Sequence, residues 1–196
     1  MTPQAAAVLD VFRSTGAYLQ GHFRLTSGLH SPEYLQCALV LQYPEHAETL
    51  GRSLADALRG LAPGKVDVVA SPALGGVIIG HEVARALRAR FIFTERDTLG
   101  KMTLRRGFMV TPGEHAMVVE DVVTTGGSTR EVVELLQSQG VVVGAAGSII
   151  DRSGGSADVG APRVALATLR VESWPAEVCP LCAQGRPVVK PGSRPA

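Results

Sequence analysis

The sequence predicts an α/β domain with a mainly parallel central sheet, helices on both faces and a small N-terminal hood. Two observations carry this. Short apolar runs of strand length recur at residues 66–70, 91–94, 116–119, 141–150 and 163–171, several rich in β-branched residues, as buried parallel strands require. Segments with helical spacing alternate with them, and twice a strand runs into a small-residue loop and then a helix, the pattern of an α/β fold.

Taken in order, Thr2 and Pro3 suit an N-cap and first helical position, and Val8, Leu9 and Phe12 recur at helical spacing until Gly16. Residues 21–37 read as a hairpin, with Phe23 and Leu25 alternating, a Ser27-Gly28 turn and an extended run through Tyr34. Pro44 opens a helix whose Ala47, Leu50, Leu54 and Leu58 share one face, ending near Gly60. The strand at 66–70 leads into Ser71, Pro72, Ala73, Leu74, Gly75 and Gly76, then a helix over about 77–87. Such a loop either binds an anion through backbone amides or uses glycine for close packing, and the residues alone leave both open. His81 and Glu82 on that helix read as solvated or paired. After the strand at 91–94, residues 95–108 are polar and basic, with Arg96, Lys101, Arg105 and Arg106; alone, such a run reads as a solvated face.

The central stretch is 116–131. Its strand ends at Val119, Glu120 and Asp121 follow, Thr124, Thr125, Gly126, Gly127 and Ser128 form a small-residue loop, and a helix covers about 129–139. A helix start offers unpaired N–H groups and a partial positive charge, so the loop suits a phosphate, for about 0.3–2 kcal/mol from the dipole alone. Carboxylates beside a phosphate would repel it unless they reach sugar hydroxyls or a metal ion. The inferred ligand is a phosphorylated sugar. Beyond this motif, Asp151, Arg152 and Ser153 end the next strand on the same sheet edge. An arginine fork there matches a planar carboxylate, and a salt bridge with Asp151 or another acid is the open alternative.

At 196 residues with 45% hydrophobic and 19% charged, the chain suits one globular domain, with helix and hood over about 1–43 and an irregular tail over about 174–196. A net charge of +1 gives no global footprint for nucleic acid or an anionic membrane. No leader-like N-terminus or bilayer-length apolar run is evident, so a cytoplasmic protein is expected. Three cysteines make no disulfide framework. Cys179 and Cys182 have zinc-like spacing, but a zinc site needs two more ligands from elsewhere, so a compact turn in the tail is the favoured reading.

The stretch from Glu120 to Ser128 resembles the 5-phosphoribosyl 1-diphosphate (PRPP) signature of the type I phosphoribosyltransferases. The resemblance implies that Glu120, Asp121, Val122, Val123, Thr124, Thr125, Gly126, Gly127 and Ser128 bind PRPP, the acids at the ribose 2- and 3-hydroxyls and the loop at the 5-phosphate. It makes residues 71–76 the pyrophosphate loop. The pattern Phe23, Leu25, Ser27, Gly28, Ser31 and Tyr34 is similar to the hood of the orotate phosphoribosyltransferases within that family, whose members often carry a lysine where Arg24 and Thr26 flank Leu25 here.

That resemblance implies transfer of the phosphoribosyl group from PRPP to orotate, giving orotidine 5-phosphate in pyrimidine synthesis. Magnesium would be bound mainly through PRPP, without direct protein ligation. A homodimer with a shared active site is implied, and no nucleic-acid or membrane partner. The segment 95–108 resembles a mobile basic loop of a shorter subgroup, with Arg96, Lys101 and Arg105 as PRPP contacts. Catalytic roles fall to Lys101 and Asp121, and Thr124 and Arg152 would bind orotate. The alternatives are a purine-base phosphoribosyltransferase and a non-catalytic PRPP-sensing regulator that binds nucleic acid.

Overall fold

The structure, a computed structural model, describes residues 2–25 and 28–191. Helix α1 (Pro3–Ser14) starts as its sequence dictates: the Ala5 N–H donates to Thr2 Oγ1 at 3.2 Å, and Pro3 sits where a missing N–H costs nothing. The hood is the antiparallel pair β1 (Tyr18–Arg24) and β2 (His30–Leu35). It begins before the expected Gly21 because Tyr18 pairs with Leu35. A register shift between Gln20 and Phe23 falls on Gly21, where a Cβ would lie 2.9 Å from the Phe23 ring. Thr26 and Ser27 of the expected turn lie outside the described residues. A short helix α2 (Cys37–Leu41), absent from the sequence reading, buries Cys37, Val40 and Leu41 before α3 (Pro44–Leu61).

The remaining strands are β3 (Val68–Pro72), β4 (Arg90–Arg96), β5 (Met102–Leu104), β6 (His115–Val123), β7 (Val142–Asp151) and β8 (Arg163–Thr168). Helix α4 (Gly76–Leu87) follows β3, and α5 (Gly127–Ser138) follows β6. They form a six-stranded sheet in the order β5-β4-β3-β6-β7-β8, parallel except for the edge strand β5. Val69, Met117, Val119 and Ile149 join the core of α1, α3 and α4, whereas Val68, Ala70, Val118 and Ala146 join that of α5. Both faces are covered, so the strands read as continuous apolar runs.

Several boundaries differ from expectation for tertiary reasons. Strand β6 runs to Val123 instead of stopping at Val119, because Val122 and Val123 pair with Ile150 and Asp151. Glu120 and Asp121 therefore lie within the strand. Residues 95–108, expected as a loop, contain β5, where Thr94 to Arg96 pair with Leu104 to Met102 and Met102 is buried. The tail, expected to lack regular structure, holds a 3-10 turn (Ala176–Val178) and a one-turn helix α6 (Pro180–Ala183). It is also bridged to the hood at Trp174 and Val189.

Asp151 is buried at the end of β7, where it accepts from Ser153 N and Oγ at 2.7 and 2.6 Å and pairs with Arg163 at 2.9 Å. Burial pulls its carboxyl upward, but the Ser153 hydrogen bonds and the Arg163 guanidinium hold it below the usual range. A depressed folded-state value means that the stabilisation is present above the unfolded value of about 3.9 and is lost as pH falls through the folded one. Asp151→Asn is expected to cost about 2 kcal/mol at neutral pH, less than a fully dry pair because Arg163 keeps some solvent contact. Urea denaturation of both proteins across pH checks this, and the gap closes in acid.

Candidate functional site

The sheet has its topological switch point between β3 and β6. The chain leaves β3 into α4 on one face and β6 into α5 on the other, so the two following loops open toward each other at the carboxyl edge. Their approach is close: a Cβ on Gly75 would lie 2.6 and 2.7 Å from the Asp121 carboxylate oxygens, and one on Gly76 would lie 3.0 Å from the Val119 carbonyl. Gly75 has helical φ and ψ of −56° and −41°, so contact rather than backbone strain demands glycine there. The close-packing reading of this loop is thus satisfied. Ser71 and Pro72 are the last buried residues of β3, Ala73 N–H is used by the Thr94 carbonyl at 2.9 Å, and Leu74 projects into solvent.

The second loop turns at Gly126, whose φ of 83° and a hypothetical Cβ contact of 2.9 Å with Val159 both require glycine. Helix α5 begins at Gly127, ahead of the expected 129, so Gly127 and Ser128 contribute N–H groups to its first turn. No side chain caps it at Gly126, and Thr124 and Thr125 are exposed beside it. The buried Thr129 hydroxyl donates to Glu120, which ties one acid to the first turn of α5. Burial pushes the Asp121 carboxyl up, opposed by its own N–H and that of Val122. Val123 is buried in the core and its carbonyl accepts the Arg152 N–H at 2.8 Å, so its side chain does not reach the cleft. Val122 packs against the core beside it.

Of the basic residues, Arg96 is engaged by Glu131 of α5 at 2.7 and 2.9 Å, and Arg106 by Glu95 at 2.7 and 2.9 Å. Asp97 folds the tip by accepting the N–H groups of Leu99 and Lys101, both at 2.9 Å. Arg105 lies in the field of Glu95. Among the described residues the exposed Lys101 ammonium has no ion-pair partner. His81 and Glu82 are as expected, Glu82 pairing with Arg85 at 2.6 Å.

Arg152 does not pair with Asp151, which is taken by Arg163. Its Nη2 makes only long contacts, 3.3 Å to Ser31 Oγ and 3.4 Å to the Glu33 carbonyl, and its buried Nε has no hydrogen-bond partner. Burial lowers the guanidinium below its usual range, offset by Tyr34 and Glu33. Nothing in the sequence spacing assigns Tyr34 or Glu33 a substrate contact, because only the hood's docking brings them here. Burial raises the Tyr34 hydroxyl, helped by Asp121 and opposed by Arg152, so it lies within reach of both charges. Tyr18, pushed up to about 12 by burial and its bond to Glu33 at 2.6 Å, donates to the Glu33 carboxylate, which acts on Arg152 through its charge.

A six-stranded sheet with adjacent acids and a glycine-turned loop leading into a helix at its switch point is the arrangement of the phosphoribosyltransferase class of α/β proteins. The phosphoribosyl transferase domain family matches residues 40–181. Orotate phosphoribosyltransferase from Heliobacterium modesticaldum is 54% identical over 187 residues, covering 95% of this chain and 97% of that one. The orotate phosphoribosyltransferase of Thermotoga petrophila is 51% identical, covering 95% and 98%. The chain belongs to the orotate phosphoribosyltransferase family. Among solved structures, orotate phosphoribosyltransferase from Aeropyrum pernix superimposes with a TM-score of 0.68 at 27% identity, covering 83% of this chain and 94% of that one. An adenine phosphoribosyltransferase from Thermoanaerobacter pseudethanolicus shares the fold alone, with a TM-score of 0.60 at 19% identity, covering 70% and 88%.

Proposed function

We infer that the protein transfers the 5-phosphoribosyl group of PRPP to orotate, giving orotidine 5-phosphate and diphosphate. The observation that carries the choice of base is Arg152, whose half-buried fork faces the hood with Nε unsatisfied and no carboxylate bound to it among the described residues. A planar base carboxylate completes that fork, and a neutral purine edge does not.

The loop from Thr124 to Ser128 holds the 5-phosphate at the α5 N-terminus, while Glu120 and Asp121 hold the ribose hydroxyls. Residues 71–76 line the diphosphate end, and Thr124, emerging beside Arg152, contacts orotate. Magnesium would be carried mainly by PRPP and water, without direct protein ligation; the Glu120 and Asp121 carboxylates, engaged with the ribose, would favour the cation nearby through their charge. Bound there, the ion would spread the charge developing on the departing diphosphate oxygens.

The reaction needs no protein nucleophile. The base nitrogen attacks ribose carbon 1 as diphosphate leaves, and the nearby carboxylates favour the positive charge that develops on the sugar. Lys101, at the tip of the β4–β5 hairpin, supplies a cation to the leaving group, with Arg105 behind it. Arg96 contributes by fixing the hairpin to α5 through Glu131. A homodimer sharing this site, a cytoplasmic location and no nucleic-acid or membrane partner complete the reading. No helix among the described residues is long and apolar enough to cross a membrane.

The experiment is incubation with PRPP and magnesium, following ultraviolet loss of orotate beside adenine, hypoxanthine and uracil controls. Consumption of orotate alone is expected; turnover of a purine instead, or PRPP binding with no base consumed, rejects the assignment in favour of a purine enzyme or a regulator. Lys101→Ala is expected to lower kcat by roughly 10- to 100-fold, as removal of a transition-state cation does, with little change in Tm. Equal losses in stability and turnover would reject its role.

A further inference from the structure

The tail motif Cys179-Pro180-Leu181-Cys182 lies against the hood, beside two histidines that the sequence separates from it by most of the chain. We infer that His22, His30, Cys179 and Cys182 form a tetrahedral zinc site that fastens the tail to the hood. Their ligating atoms all lie within 4.8 Å of one another. Cys182 Sγ is 3.2 Å from His30 Nδ1 and 3.7 Å from His22 Nε2; Cys179 Sγ is 3.6 Å from His22 Nε2, and the two ring nitrogens are 2.8 Å apart. With Zn–S near 2.3 Å and Zn–N near 2.0–2.1 Å, neighbouring ligands of a tetrahedral ion stand about 3.3–3.8 Å apart. The four groups are within small side-chain adjustments of that geometry.

A second observation points the same way. His22 Nδ1 lies 2.9 Å from the Arg186 carbonyl, which can only accept, so Nδ1 carries the proton and Nε2 turns its lone pair toward the two sulfurs and His30. A ring N–H given to a backbone carbonyl is the outer-shell contact that orients a metal-bound histidine. His22, His30 and Cys179 are buried, and Cys182 is exposed, leaving a route for the ion. Two thiolates with two imidazoles select zinc over magnesium, which prefers oxygen, so this site is chemically separate from the substrate's metal. Binding converts two thiols to thiolates and releases two protons for each ion taken up.

The location explains what the site does. On one side the Val189 N–H donates to the His22 carbonyl at 2.8 Å, and on the other His30 and Trp174 exchange backbone bonds at 2.8 and 2.9 Å. The ion thus sits between two short backbone bridges and closes a loop across the chain. Next to His30, Ser31 Oγ donates to the Glu172 carbonyl at 3.1 Å and accepts from Arg152 at 3.3 Å. Zinc would hold the strand that covers Arg152 without touching substrate.

The test uses full-length protein without a histidine tag, purified under reducing conditions, with metal content by mass spectrometry and cobalt substitution by visible absorption. The expected result is one zinc per chain. Cobalt should give the intense d–d bands of a tetrahedral site with sulfur-to-cobalt charge transfer, lost in Cys179→Ser/Cys182→Ser. Chelation should lower Tm and open the tail to protease, and zinc should reverse both. If that variant fails to fold, the cobalt spectrum of the unaltered protein still decides. Protein whose three cysteines all titrate as free thiols after denaturation, yet whose folded, reduced form takes up neither zinc nor cobalt in equilibrium dialysis, overturns the inference and leaves a hydrogen-bonded cluster. A Cys179–Cys182 disulfide that persists in reductant overturns it too.

Discussion

Arg152→Ala is expected to raise the Michaelis constant for orotate by roughly 30- to 700-fold, while that for PRPP stays nearly unchanged, corresponding to about 2–4 kcal/mol for a charged partner removed from a half-buried pair. The reason is the local accounting of partners. Asp151 belongs to Arg163, Glu33 is held by Tyr18, and Ser31 and the Glu33 carbonyl offer Arg152 only long contacts. Burial of the guanidinium is only partly offset by Tyr34 and Glu33 until a carboxylate arrives, which makes truncation cheap for the free protein and costly for the complex. Arg152→Lys should recover only part of the loss, since one ammonium cannot reproduce two parallel bonds. Initial-rate kinetics with each substrate varied, alongside Tm, checks the prediction; an unchanged orotate constant rejects the carboxylate contact.

Gly75→Ala should be the second large effect, and an unusual one for so small a change. Its helical φ and ψ tolerate alanine, so little backbone strain is added. The new methyl would stand 2.6 Å from an Asp121 oxygen, closer than contact allows, and must displace either the carboxylate or the loop. If Asp121 positions the ribose as proposed, a shift near 1 Å in its carboxylate costs about 100-fold in kcat/KM for PRPP. Kinetics with PRPP varied and a crystal structure of the variant check this, and wild-type kcat/KM would mean that Asp121 does not need its position. Gly126→Ala is a harsher control, because it adds positive-φ strain and a clash with Val159.

Most of the scaffold was legible in the sequence, because its signals are local. Thr2 and Pro3 start a helix by satisfying the first turn, and the heavily apolar strands announce a sheet covered on both faces. The acids and the glycine-turned loop were legible for the same reason, since strand, small-residue loop and helix start are contiguous. Boundaries drifted where pairing partners decided them. Val122 and Val123 are strand because β7 runs beside them, and Met102 to Leu104 are strand because β4 does.

By itself, then, the sequence determined the α/β class, the family and the adjacency of two acids to a glycine-turned loop and helix start, all carried by residues close together along the chain. Only the tertiary structure decided that Arg163 rather than Arg152 takes Asp151, that Gly75 abuts Asp121, that Tyr34 feels the charges of both Asp121 and Arg152, and that two hood histidines meet the tail cysteines. These are meetings of residues far apart in sequence, fixed by strand order and by the docking of hood and tail. Local spacing and periodicity carry no record of them, because what selects each partner is distance and competition in three dimensions.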